Sequence, residues 1–367
     1  MPPVSGPLGD AAPLAAALGV TRIARITGLD RTGVEVACAI RPAGHVLQVT
    51  NGKGPSRAAA ALGALLEAAE LVGSERARVD RWGDADGLAA RGTAVVAPDE
   101  VDPSAGPGSR RVRIAWRLAE DLIAGGPALV PACAVHCPPP SGPSLGPALV
   151  TWTSNGSGAH TSTPAAVLHA LLELVERDGL ARALPEGFTA REVAARLIDP
   201  TTLRGAAPEA AGLALELEAR GIGVHLLDVT GSLGIPCAAA LLVEPAGPVP
   251  LAAGYACRTR RDRALVAALH EAAQSRATEI HGAREDVGES ASRAAAEALP
   301  LPRRGGRRDA RRMPDLPART PEGALREVLR RLARAGHRRA AVVPLDAPAG
   351  YAVYRAIVPG MRVSGLL

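Results

Sequence analysis

Three stretches of this 367-residue chain read as helices that are apolar almost all round and yet carry acidic or amide side chains three residues apart. In the first, Glu67 and Glu70 lie among Ala60, Ala64, Leu65, Ala68 and Ala69; in the second, Glu173 and Glu176, followed by Arg177, lie among Val167, Ala170, Leu171 and Val175. The third carries Glu271 and Gln274, then Arg276, among Leu265, Ala268, Leu269 and Ala272. An i, i+3 spacing puts each pair on one helix face, and helices this apolar belong in a core. Each follows a β-like run and a Gly-containing segment that reads as a turn: Asn51-Gly-Lys-Gly54, Asn155-Gly-Ser-Gly158 and Gly254-Tyr-Ala256. From the start of each turn to the first Glu is 16, 18 and 17 residues, a spacing that three unrelated surface helices would not share.

Buried carboxylates without partners are costly as ions. Two pairs, Glu67 with Glu70 and Glu173 with Glu176, therefore call for compensating charge, and Mg²⁺ takes oxygen ligands of this kind. Four carboxylates exceed the needs of one ion, which points to several ions and a polyphosphate; backbone N–H groups of the Gly turns are suited to phosphate oxygens. The plainer alternative, acidic pairs at a solvent edge facing arginines, accounts for one such helix better than for three in matched contexts.

Composition narrows the function classes. Only seven residues are aromatic, so the core must be aliphatic. Net charge is +5, and of 42 basic residues all but Lys53 are arginine. Stacking platforms for single-stranded nucleic acid are missing, and much of the basic excess lies in Arg303–Arg312, so no nucleic-acid partner is expected. Five widely spaced cysteines and no basic n-region imply a reducing, cytoplasmic setting, and no apolar run reaches the ~18 residues of a membrane span. Cys133-x-x-His136-Cys137 lacks a nearby fourth ligand and reads as a loop; His160, just after the second Gly segment, is suited either to substrate contact or to structure.

Alternating strand and helix signals give an α+β fold. Helices are predicted over 11–18, 55–75, 116–124, 164–184, 262–283 and 321–334; strands are predicted over 23–26, 34–40, 149–153, 224–229, 238–243, 340–345 and 351–358. The division is an N-terminal segment 1–40, a catalytic core 41–287, a Pro/Arg-rich flexible loop 288–320, and a C-terminal helix and strands 321–367 that complete the core.

The quoted segments, with Glu271-Ala-Ala-Gln-Ser-Arg276 and Tyr354-Arg-Ala-Ile-Val-Pro-Gly360, together resemble the YcaO family. The resemblance implies a YcaO-like fold in which three related strand–Gly turn–helix segments surround an ATP/Mg²⁺ site. It implies ATP-driven phosphorylation of a peptide backbone amide oxygen, followed by attack at the carbonyl carbon to give an azoline, a thioamide or an amidine. Carried over by motif, Glu67, Glu70, Glu173 and Glu176 would hold Mg²⁺. Lys53, Ser157, Arg177, Gln274 and Arg276 would contact nucleotide or phosphates, Glu271 would orient them, and Glu176, Arg177 and Gln274 would act in catalysis.

Two departures stand out. Leu71 follows Glu70 where the family often has arginine, and the chain ends Met361-Arg-Val-Ser-Gly-Leu-Leu367 without the Pro-x-Pro-x-Pro tail common in azoline-forming members. The pattern is closer to members that work with a TfuA protein, which implies thioamide formation on a precursor peptide or protein, with a TfuA-like or leader-binding partner. Azoline or macroamidine formation is the alternative, and a non-catalytic nucleotide-binding scaffold is the alternative of a different class. The peptide, the nucleophile donor and any homodimer lie beyond the sequence.

Overall fold

The computed structural model describes residues 11–282 and 308–363. The fold is α+β, and its strands pair antiparallel within three sheets. The first sheet joins β1 (Arg22–Arg25), β2 (Glu35–Ile40) and β3 (Val49–Gly54) in that order. The second runs β10 (Leu251–Cys257), β9 (Cys237–Val243), β8 (Gly223–Asp228). The third runs β4 (Arg81–Gly83), β5 (Ile114–Asp121), β11 (Ala341–Pro344), β12 (Ala352–Ile357), β7 (Ser157–His160), with β6 (Pro127–Pro131) also on β5.

Five helices matter for the site or its frame. These are α1 (Ala12–Ala17), α2 (Arg57–Glu75), α3 (Thr163–Ala183), α4 (Arg261–His281) and α5 (Pro321–Arg334). Local chemistry sets their ends. Ser56 caps α2 by accepting from the Ala59 N–H at 3.2 Å, and Thr320 caps α5 through Gly323 at 3.2 Å; both satisfy N–H groups that the helix itself leaves unpaired. The period-2 alternation of β9 splits its side chains between two cores. Ala238, Ala240 and Leu242 face the α4 side, while Cys237, Ala239 and Leu241 face the α3 side.

The three Gly segments are not turns. Lys53 and its flanking glycines lie on β3, Ser157 and Gly158 on β7, and Gly254 to Ala256 on β10; only Asn155-Gly156 forms a turn. The glycines serve packing. A Cβ on Gly52 would lie 2.0 Å from the Ala60 carbonyl oxygen and 2.2 Å from the Ala64 nitrogen of α2. On Gly158 it would lie 2.3 Å from the Ala166 oxygen and 2.7 Å from the Ala170 nitrogen of α3, and on Gly254 2.1 Å from the Ala272 nitrogen and 2.4 Å from the Ala268 oxygen of α4. Each helix therefore rests its backbone on a strand glycine, an approach that a side chain would forbid.

Other expectations change as well. Residues 116–124, expected as a helix, begin inside β5, whose Trp116 is buried and donates its indole N–H to the Gly83 carbonyl at 2.8 Å. Pairing with β4, β6 and β11 overrides the local pattern. Residues 149–153 form no strand, and residues 98–111 wind into three short helical turns. Of the 288–320 segment, residues 308–320 are tied down: Ala310, Met313 and Leu316 are buried, and Leu316 N–H donates to Thr259 O at 2.8 Å. The remainder up to 307 lies outside the described residues. Among the described residues no helix is long and apolar enough to cross a membrane.

Adding one methyl group should separate seat from surface. Gly254→Ala forces backbone against backbone and should cost about 3 kcal/mol or abolish folding. Gly212→Ala, on the open face of the Pro208–Ala219 helix, should stabilise by about 0.5–1 kcal/mol. Urea unfolding of both variants checks the contrast.

Candidate active site

The seats put the acidic residues in register. Counting from the alanine whose nitrogen meets the glycine, three and six residues on come Glu67 and Glu70 after Ala64, and Glu173 and Glu176 after Ala170. After Ala272 the same positions are Ser275 and Thr278, so Glu271 sits one helical turn earlier than the acids of the other two helices. The near-constant spacing in sequence conceals that offset.

Backbone N–H groups of the strand segments hold the carboxylates. Asn51 N, within β3, donates to Glu67 Oε2 at 2.8 Å, and Gly156 N, just before β7, to Glu173 Oε2 at 3.0 Å, each from the helix's own segment. The sixth-position residues reach the next segment. Ala159 N on β7 donates to Glu70 at 2.9 Å, Cys257 N on β10 donates to Glu176 at 2.9 Å, and Asn51 Nδ2 on β3 donates to Thr278 Oγ1 at 3.0 Å. First segment grips second, second grips third, and third returns to first. Lys53 on β3 adds to the closing contact, its Nζ 2.8 Å from Glu271 Oε2.

This ring gathers like charge. Desolvation, then Glu173 and Glu67, pushes the Glu70 carboxyl well above its usual range. Burial raises Glu176 to about 7, with Glu271 adding to it and Arg177 opposing it. Burial also works against ionised Glu271, but Lys53 and Arg177 hold its pKa below the ordinary value. Arg177 lies 3.2 Å from Glu173 and 3.5 Å from Glu176, and its Nε and Nη1 are buried without a hydrogen-bond acceptor. The Gln274 Oε1 and Asn51 Oδ1 atoms are likewise buried and unpartnered.

Ser157 and Arg276 already have protein partners. The Ser157 hydroxyl is buried and accepts from Arg355 Nη1 at 3.2 Å. Arg276 departs from expectation more sharply: its guanidinium is 1% exposed, pairs with Asp30 at 2.9 Å and with Glu244, and donates to Val249 O at 2.7 Å. It ties α4 to its frame, away from the acids. Sequence reasoning passed over four contributors: Asn51, Arg258, His169 and Arg355. Arg258, directly after β10, lends positive charge to Glu176 and Glu271. Desolvation by the surrounding protein, with the charges of Arg258 and Lys53, lowers the His169 imidazole pKa. Arg355 stood inside the quoted C-terminal motif, the one signal that marked it. The Cys133/His136/Cys137 motif packs instead against the end of α2, where His136 Nδ1 lies 3.2 Å from Ser74 O. His160 is exposed, its Nδ1 3.1 Å from the Thr161 hydroxyl.

Among the described residues no three carboxylate, imidazole or thiol groups close on one point as a metal centre. Mg²⁺ does not require one, since it commonly takes one or two carboxylates with substrate phosphates and water. Here excess carboxylate stands beside buried guanidinium N–H groups that lack acceptors, a donor set that fits a polyphosphate carrying a hard cation.

The family model described as YcaO cyclodehydratase, ATP- and Mg²⁺-binding, matches residues 51–362. The chain belongs to the YcaO family, and the cofactors of that family are ATP and Mg²⁺. An uncharacterized protein of Methanothermobacter thermautotrophicus is 32% identical over 94% of this chain and 90% of its own length. An uncharacterized protein encoded in the tfuA 3′ region of Rhizobium leguminosarum bv. trifolii is 30% identical over 94% and 84%. Among solved structures, a heterocyclase in complex with substrate and cofactor superposes with a TM-score of 0.74 at 19% identity, over 94% of this chain and 50% of that one. YcaO from Methanopyrus kandleri bound with AMPPCP and Mg²⁺ gives 0.70 at 20% identity, over 96% and 91%.

The raised carboxyls give a pH signature. Glu176 and Glu70 bind protons more tightly in the fold than in the unfolded chain, so their contribution to stability is complete below pH 4.5 and is lost as pH rises through their raised values, about 7 for Glu176. Without Mg²⁺, Tm should fall from pH 5.5 to 7.5, read as trial pH values of about those magnitudes. Mg²⁺ affinity should rise over the same interval, about tenfold per pH unit for each proton released. Scanning calorimetry with and without Mg²⁺ checks both.

Proposed function

We propose that this protein activates a backbone amide of a peptide or protein at the expense of ATP and that its product is a thioamide. The observation that carries the activation reading is Arg177: two of its buried N–H groups lack acceptors while flanked by Glu173 and Glu176. A phosphoryl group in transfer presents the negative oxygens such a guanidinium lacks, and this chemistry depends on positioning and charge stabilisation. Glu67, Glu70, Glu173 and Glu176 would hold Mg²⁺, which when bound neutralises phosphate charge. Lys53 and Gln274 would contact the nucleotide, and Glu271 would fix the Lys53 ammonium.

An amide oxygen leaves poorly. Once it carries the phosphoryl group, the carbonyl carbon accepts a nucleophile, the C–O bond breaks, and the oxygen departs with phosphate. With sulfide as nucleophile the balance is one amide oxygen exchanged for one sulfur. The relative encoded in a tfuA 3′ region supports a TfuA-like partner for sulfide delivery. The family's cyclodehydratase description favours azoline formation as the second reading.

Incubation with ATP, Mg²⁺, sulfide and a candidate precursor peptide separates the two readings by mass. Exchange of oxygen for sulfur marks the thioamide, and loss of one water marks the azoline. Glu176→Gln should lower Mg²⁺-dependent ATP turnover by about 10²-fold or more with Tm retained; unchanged turnover removes Glu176 from the site. Lys53→Arg should lower kcat/KM about tenfold, because a broad guanidinium does not replace a compact ammonium in a crowded phosphate site.

A further inference from the structure

A cavity of about 730 Å³ opens beside the acid ring, within the size range of ligand pockets. Its walls include Val150, Leu174, Leu184 and Ile357, with Thr153 and Asn155 adding polar groups. Arg355 belongs to both places: it lines the cavity, and its charge interacts with Glu173 and Glu70.

Arg355 sets the chemistry of the occupant. Its side chain is 5% exposed, Nη1 donates to Ser157 Oγ, and Nε has no acceptor. Burial lowers its pKa to about 10, which leaves it charged at neutral pH. A buried donor of this kind needs an acceptor. Glu173 and Glu70 interact with this guanidinium, and the polyphosphate is already assigned to Arg177 and the acid ring, so a neutral carbonyl oxygen is the fitting partner. The two carboxylates on the cavity lining are engaged elsewhere: Glu100 accepts from Ala97 N at 2.8 Å, and Asp102 accepts from Ser104 N at 2.9 Å. Aliphatic walls around a buried carbonyl-seeking donor, with the exposed Arg362 also on the lining, describe a seat for an extended peptide, which presents a carbonyl from its backbone and side chains to alternate sides.

We propose that this cavity binds the substrate peptide as an extended segment with aliphatic side chains, and that Arg355 donates to one of its backbone carbonyls next to the amide being activated. The proposal rests on the amide-activating reading above and adds the place and character of the substrate. Arg355 here positions the peptide, and the acid ring keeps the nucleotide.

The test uses the full chain loaded with Mg²⁺ and a non-hydrolysable ATP analogue. Three fluorescein-labelled, C-amidated hexapeptides, rich in leucine, serine or glutamate, are titrated by anisotropy. The leucine peptide should bind at least tenfold more tightly than the other two. Arg355→Lys and Ala181→Phe, the second filling the cavity from a half-buried lining position on α3, should each weaken it tenfold or more. Nucleotide affinity, measured separately by calorimetry, should stay within twofold in Ala181→Phe. If Arg355→Lys fails to fold, Ala181→Phe decides. Equal binding of the three peptides, no saturable binding of the leucine peptide by nucleotide-loaded protein, or unchanged binding in Ala181→Phe overturns the proposal. Equal loss of nucleotide affinity in Ala181→Phe also overturns it, by assigning the cavity to the nucleotide. Failure of the wild-type chain to bind Mg²⁺-nucleotide would instead overturn the amide-activating reading.

Discussion

The structure depends on three strand glycines on which helix backbones rest. Removing the side chain at Gly52, Gly158 and Gly254 lets α2, α3 and α4 approach their strands backbone to backbone. That distance fixes how far along each helix the residues three and six places on will project, and it brings them level with N–H groups of the strand segments. The acidic ring follows from those seats. An alanine at any of the three would displace a helix and, with it, the carboxylates that the helix carries.

The ring is a closed cycle of grips, and its electrostatics are unresolved without a ligand. Glu70, Glu176 and Thr278 each take a donor from the next segment, which ties three segments distant in sequence into one unit. The same arrangement brings Glu173 and Glu67 close enough to raise the cost of ionising Glu70, and Glu271 and Glu173 close enough to raise that of Glu176. A chain selected only for stability would lose such groups, since apolar replacements of similar volume are commonly neutral or better. Their retention beside unpartnered Arg177 atoms is intelligible if cation and polyphosphate together complete the charge balance.

Much of this was legible in the sequence. Apolar helices with acidic pairs show in residue order because helical period and burial are local properties, and α5 spans the predicted 321–334 to the residue. What was not legible depends on partners far along the chain. Trp116 lies in a strand because β4, β6 and β11 flank it, and nothing local reports that. Arg276 and Arg177 look alike in sequence, each close behind an acidic pair position. Only the fold shows that Asp30 and Glu244 neutralise the first while the second keeps N–H groups unspent. The Gly segments read as turns because glycine signals both a turn and a close approach, and the choice lies with the helix that arrives from elsewhere.

The single lysine gains its meaning from the same geometry. Lys53 stands on β3 between two glycines that face α2, so its own side chain leaves the opposite face of the strand, toward Glu271 on α4. It reaches Glu271, the acid that falls one turn out of step with the others, and so joins the third segment to the first by charge where the first two joins use backbone donors. A guanidinium needs planar space and several acceptors, whereas an ammonium concentrates its charge on one atom and tolerates a narrow approach. In a chain whose other cations are all arginine, the position that keeps lysine is the one where the ring closes on a lone carboxylate.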